Sequence, residues 1–140
     1  GQPYLFSIDF YENISGARIL AQVNTNGTLY PISLENLEPC FLSPKAITTT
    51  DCSLSPNGLE GTYFQTSTFT TPVFTQIDNV NPFSFNYGTG TPNVLITNPD
   101  NFSIRWRGTL DVPTTGYYRV GVSSIDSIRV LIQGIQIINN

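Results

Sequence analysis

Hydrophobic and polar residues alternate along most of the chain with a period of two, the pattern of strands that face a core on one side only. From Tyr4 the even positions Tyr4, Phe6, Ile8 and Phe10 form an apolar row, while Ser7, Asp9 and Tyr11 point the other way. After a turn at Ser15-Gly16, Ala17, Ile19, Ala21 and Val23 repeat the pattern against Arg18 and Gln22. Asn26-Gly27 predicts a two-residue hairpin connection, because a type I′ turn needs φ > 0 at both central residues. A further strand is expected over 29–34, then others near 61–65 and 71–77. Gly88, Gly90, Pro92 and Pro99 predict a loop from Asn79 to Pro99. Beyond it Ile104, Trp106 and Leu110 alternate with Arg105, Arg107 and Thr109. Tyr118, Val120 and Val122 alternate with Arg119 and Ser123, and Ile128, Val130 and Ile132 with Arg129 and Gln133. The final segment, 135–140, is apolar. No stretch holds a 3.6-residue period for more than a turn or two. The pattern therefore predicts an all-β fold of two antiparallel sheets face to face, a β-sandwich.

Residues 38–57 interrupt the pattern. Pro39, Pro44 and Pro56, the run Thr48-Thr49-Thr50 and both cysteines read as a linker or long loop. The chain thus divides into a block of strands at 1–37, a linker at 38–57 and a second block at 58–140. Cys40 and Cys52 flank eleven residues. Two thiols without any histidine leave too few soft ligands for a metal. In an exported protein a local disulfide is expected, stabilising by roughly 3 kcal/mol through restriction of the unfolded chain. Two unpaired thiols are the alternative.

Composition narrows the class. With 140 residues the chain has the size of one domain, and a hydrophobic share of 39% supports a packed core. Charged residues make up 11%, against about a quarter in an average domain. Thr, Ser, Asn, Gly and Pro fill the gap, giving the neutral polar surface of an extracellular or cell-surface β-protein. The net charge of −4 and the scatter of six basic residues argue against nucleic acid and anionic membrane as partners. No apolar run approaches the eighteen or so residues that cross a bilayer. The chain starts at Gly1 and contains no Met, as expected of a processed product or of one period of something longer.

The side-chain inventory holds little reactive chemistry. The absence of histidine removes the commonest general base and the usual triads. The ten carboxylates are dispersed, and no motif singles out a hydrolytic pair. The chain is therefore not expected to be an enzyme. Alternation places Trp106 in the core rather than on a sugar-stacking surface. Arg105 and Arg107 face the other way, with Arg119 and Arg129, as a basic stripe or as solvated cross-strand pairs. Three sequons, at Asn13, Asn26 and Asn101, are candidates for N-glycosylation, and Asn13 and Asn26 fall at predicted turns that could accommodate a glycan. In a eukaryotic source at least one is expected to be modified.

Four stretches carry a family resemblance: G-L-E-G-T-Y-F (58–64), F-T-T-P-V-F (69–74), N-F-S-I-R-W-R-G-T-L (101–110) and G-Y-Y-R-V-G-V-S-S-I-D-S-I-R-V-L-I-Q-G (116–134). Together they resemble the opening two-thirds of the PA-fourteen domain family, the lectin-like β-sandwich of protective antigen, flocculins and β-glucosidases. The segment Q-P-Y-L-F-S-I-D-F-Y-E-N-I-S-G-A-R-I-L-A-Q-V (2–23) resembles the hairpin with which members close, and here it comes first. The resemblance implies a PA-fourteen-type sandwich that is permuted, or a tandem repeat cut in mid-domain and completed by its own strands or a neighbour's. Asn139-Asn140 followed by Gly1 would then make a hairpin turn into the strand at Tyr4. Tyr4, Phe6, Ile8 and Phe10 on one side, and Ile135, Ile137 and Ile138 on the other, are the expected assembly strands, paired antiparallel.

In lectin-type members two adjacent aspartates hold calcium at the turn that reads S-S-I-D-S here (123–127). Ile125 stands at the first position, leaving Asp126 with the hydroxyls of Ser123, Ser124 and Ser127. Asp126 is thus a weak calcium candidate, and the turn is read as a strand connection in which Asp126 caps backbone N–H groups. No cofactor is expected. The expected function is a non-enzymatic extracellular structural or adhesive module. It would be a repeat or subunit of a fibre or surface filament, with neighbouring copies as its partners. The alternative is a carbohydrate-binding module of a larger adhesin or glycosidase, with glycans as its partners.

Overall fold

A computed structural model describes residues 2–12, 17–25, 28–31, 37–39, 57–112 and 118–140. These form eleven strands: β1 (Gln2–Tyr11), β2 (Ala17–Thr25), β3 (Thr28–Pro31), β4 (Leu37–Pro39), β5 (Leu59–Phe64), β6 (Pro72–Asp78), β7 (Ser84–Gly88), β8 (Ser103–Val112), β9 (Arg119–Ser124), β10 (Ser127–Ile132) and β11 (Ile135–Asn139). The long sheet runs β11-β10-β1-β8-β5-β6, with β4 on β8. The short sheet runs β3-β2-β7, with β9 on β2. All the pairings are antiparallel. This is the expected all-β sandwich.

Alternation sets the core. Phe6, Ile8 and Phe10 of β1 and Ile104 and Trp106 of β8 are buried from the long sheet, as are Ile128 and Val130 of β10. Ile19 and Ala21 of β2, with Phe83 just before β7, belong to the same buried core. Trp106 is fully buried, as its phase requires, and stacks on Phe85 at 5.1 Å.

Three connections differ from the sequence reading. First, β1 and β2 are not a hairpin: β1 pairs with β8 and β10, and β2 with β3, β7 and β9. Alternation says which face of a strand is apolar. It does not say whether two successive strands lie side by side or face each other across the core. Second, the stretch read as a loop from Asn79 contains β7, whose Phe85 and Tyr87 pack on the core behind buried Phe83. Third, β1 lies between β8 and β10, so β11 pairs with β10 and not with β1. Within the chain β11 therefore runs parallel to β1.

Within the chain β10 separates β11 from β1, so these two strands do not pair with each other there as the expected assembly strands would. Asn139 is level with Arg129 and hence with Asp9, seven residues along β1 from Gln2. At about 3.4 Å per residue the two ends lie roughly 24 Å apart along the sheet.

Turn chemistry is visible at the hairpins. Thr25 pairs with Thr28, and residues 26–27, where a turn was expected, lie outside the described residues. Ile132 pairs with Ile135 around Gln133 and Gly134, both at positive φ, as a two-residue hairpin demands. β4 pairs with Gly108–Leu110 beyond the part of β8 that β5 covers, and it spans the expected boundary at 37/38.

Candidate functional site: the loop end and the β11 edge

At the loop end of the sandwich, β1 finishes at Tyr11 opposite Ser103, and the Glu12 N–H continues the ladder by donating to the Phe102 carbonyl at 2.9 Å. Glu12 keeps the inward phase of Tyr4, Phe6, Ile8 and Phe10, so its carboxylate is carried under the surface, 1% exposed. The turn between β9 and β10 crosses from the short sheet to the long one at the same end. Its Ile125 N–H donates to the Arg18 carbonyl at 3.4 Å, and the Ile125 side chain is 64% exposed. The Asp126 and Glu12 carboxyl groups face each other within hydrogen-bonding reach.

Four oxygens here are buried without a donor: Glu12 Oε1 and Oε2, Asp126 Oδ2 and Ser124 Oγ. The charged groups that act on Glu12 are Asp126 and, at longer range, Asp100, and both are acidic. Burial first, then these two carboxylates, push the Glu12 carboxyl up to about 8. The sequence signal for Glu12 was legible, a charged residue in phase with an apolar face. The Asp126 Oδ2 is buried without a donor. Among the described residues no three carboxylate, histidine or cysteine side chains converge. The pair consists of two carboxylates, and the Ser124 hydroxyl at the end of β9 is a separate buried oxygen without a partner.

The arginines resolve into pairs. Asp9, 2% exposed on the outward face, lies between two strands. It accepts from Arg105 Nε at 2.7 Å and Nη2 at 3.0 Å, and from Arg129 Nε at 3.2 Å and Nη2. Burial alone would raise the Asp9 carboxyl; the two guanidiniums outweigh it and hold it below the ordinary range. Phe69 lies 4.5 Å over the Arg105 guanidinium. Arg119 is on β9 in the short sheet, so the four arginines do not form a stripe on one sheet face.

A third buried carboxylate, Asp78, accepts from Tyr63 Oη at 2.5 Å, Trp106 Nε1 at 2.6 Å and Gln76 Nε2 at 2.7 Å. Desolvation raises its carboxyl, and the three donors work against that. Gly61 leaves room for it: a Cβ there would strike the Asp78 carboxylate and approach Trp106 Nε1 to 3.0 Å. This network of buried side chains locks the core.

Of the expected assembly positions, Phe6, Ile8 and Phe10 are buried in their own chain, and Tyr4 is partly exposed. Ile138 packs on the core, whereas Ile135 is 69% and Ile137 45% exposed on β11. The outer side of β11 carries no strand among the described residues. Asn101 is exposed, and its Oδ1 accepts from the Ser67 N–H at 3.1 Å, while Ser103 is buried and donates to the Thr66 carbonyl at 2.7 Å. Asn13, Asn26, Cys40 and Cys52 lie outside the described residues.

The PA14 domain model matches residues 55–140. Comparison with curated proteins and with solved structures gives no match.

Proposed function

For a chain that belongs to the PA14 domain family, we propose a non-enzymatic extracellular role as a structural or adhesive module. It would act as a repeat or subunit of a fibre or surface filament, with neighbouring copies of itself as partners. PA14 domains occur in adhesins, glycosidases and toxins. The observation that carries this reading is the β11 edge: a row of backbone donors and acceptors beside exposed Ile135 and Ile137. An apolar edge strand without a charge or a proline is a template for a further strand. The opposite edge, β6, is blunted by Pro72 at its start and by exposed Thr75 and Gln76.

One further feature supports the non-enzymatic part of the reading. Glu12 and Asp126 are in contact, closer than the roughly 5 Å or more that separates a glycosidase pair.

Sedimentation of the protein over a wide concentration range tests the proposal, with an Ile135→Lys, Ile137→Lys variant beside it. The expected result is concentration-dependent association that the variant abolishes while keeping its strand spectrum. A wild-type chain that stays monomeric, or a variant that associates equally, contradicts it. The second reading, a carbohydrate-binding module, is favoured by the outward-facing turn beside the Glu12–Asp126 oxygens. Binding of free glycans that is lost in Ile125→Lys would support it.

A further inference from the structure

The hydrogen bonds of β11 show which of its backbone groups remain open. Asn140 exchanges both bonds with Ile128, its N–H donating at 3.0 Å and its carbonyl accepting at 3.2 Å. An antiparallel ladder alternates, so the N–H and C=O of Asn139, opposite Arg129, point away from β10. Ile138 lies opposite Val130 and packs on the core, whereas Ile137 has no counterpart in β10. The register shift between Val130 and Leu131 leaves Ile137 as the extra residue of a bulge, outside the ladder. The open side of β11 therefore presents Ile137 and Asn139, one residue to either side of Ile138.

We infer that a second copy of this chain adds to that edge antiparallel, about a two-fold axis at Ile138, and that the contact closes as a dimer. The inference rests on the reading of β11 as the associating edge and fixes the geometry of the contact. Under the two-fold, Asn139 exchanges bonds with the partner's Ile137, and Ile137 with the partner's Asn139. The groups that one chain leaves open are those the other needs. An axis perpendicular to the sheet also keeps the inner face of one copy continuous with that of the other. Ile138 then meets the partner's Ile138 as a non-hydrogen-bonded pair, the closer kind, with Cα atoms about 4.5 Å apart. The apolar core thus runs on across the joint.

Charge and symmetry single out the same chain as the partner. Ile135, Gln136, Ile137, Ile138 and Asn139 carry no charge, so two such edges meet without repulsion and a charged partner gains nothing. A patch that pairs with itself is isologous and closes at two copies, whereas an open series needs two different patches. The other edge of the long sheet, β6, begins at Pro72, and β9 on the short sheet carries the exposed charge of Arg119. A fibre built from this chain would therefore use the dimer as its unit, with a second joint of another kind.

Sedimentation of the whole chain over a wide concentration range, with hydrogen exchange at the Ile137 and Asn139 amides, tests the geometry. The expected mass rises from one chain to two and stops there, and both amides become protected over the same range. Asn139→Pro removes an outward donor and leaves the Ile128–Asn140 and Val130–Ile138 pairs in place, an edge position that proline tolerates. It should keep the strand spectrum and the melting temperature of the wild-type monomer and lose the dimer. Association that continues past two copies but is lost in Ile135→Lys, Ile137→Lys overturns the two-fold contact and leaves the edge reading standing. A dimer in which both amides exchange freely, or which Asn139→Pro does not weaken, also overturns the contact. A chain that is monomeric at every concentration overturns both.

Discussion

Asp9 and Glu12 stand three residues apart along one stretch of chain, both buried, and the fold balances them in opposite ways. Asp9 points outward and is gripped by Arg105 and Arg129 from the strands on either side. Glu12 points inward and meets only acidic neighbours. Their pKa shifts consequently have opposite signs, Asp9 lowered and Glu12 raised. A buried carboxylate whose countercharge is built in serves the fold. One whose countercharge is missing keeps its proton to a higher pH.

The largest effect is expected at Asp9. Asp9→Ala leaves two guanidiniums facing each other over a buried patch, and losing one partner of a buried pair costs about 3–5 kcal/mol. The partial exposure of both arginines puts the cost at the low end. Asp9 contributes stability that is present above its unfolded pKa of about 3.9 and is lost as pH falls through the lower folded value. Chemical denaturation across acid pH should show that loss, and Asp9→Asn should flatten it.

Gly61→Ala extends the comparison to Asp78, the carboxylate held by neutral donors. The new methyl displaces the acceptor from Tyr63 and Trp106, an overpacking cost of about 1–3 kcal/mol. Loss of cooperative unfolding monitored by Trp106 fluorescence would be the extreme outcome. Phe69→Ala is milder. It uncovers the Arg105–Asp9 pair, costs about 1 kcal/mol, and should make the acid limb of the stability curve more sensitive to salt.

Glu12→Gln should have the smallest effect at acid pH, and its sign then changes. The raised Glu12 carboxyl contributes stability fully present below 4.5, which is lost as pH rises through about 8. The variant should therefore match the wild type in acid and exceed it in mild alkali. A variant that is less stable at every pH would show that Glu12 already has a partner within the chain.

The sequence carried the strands more clearly than their neighbours. Tyr4, Phe6, Ile8 and Phe10 showed which face of β1 is buried, and Trp106 fell in the core where its phase placed it. Which strands adjoin β1 depends on the path of the chain through space, and so the insertion of β1 between β8 and β10 was not legible. β7 was hidden by Pro82 and Gly88 at its flanks, although Phe83, Phe85 and Tyr87 do alternate. At the candidate site, the motif drew attention to Asp126 and its missing neighbour. Glu12 lies more than a hundred positions away in sequence and joins Asp126 only through the pairing of β1 with β10. Its one local signal was a charge in phase with an apolar face.

The most direct measurement is a site-resolved titration of the Glu12 and Asp9 carboxyl carbons by nuclear magnetic resonance. Glu12 should keep its proton to about pH 8, while Asp9 stays ionised through the neutral range. A Glu12 that is already ionised at neutral pH, or an Asp9 that is protonated there, would contradict the account.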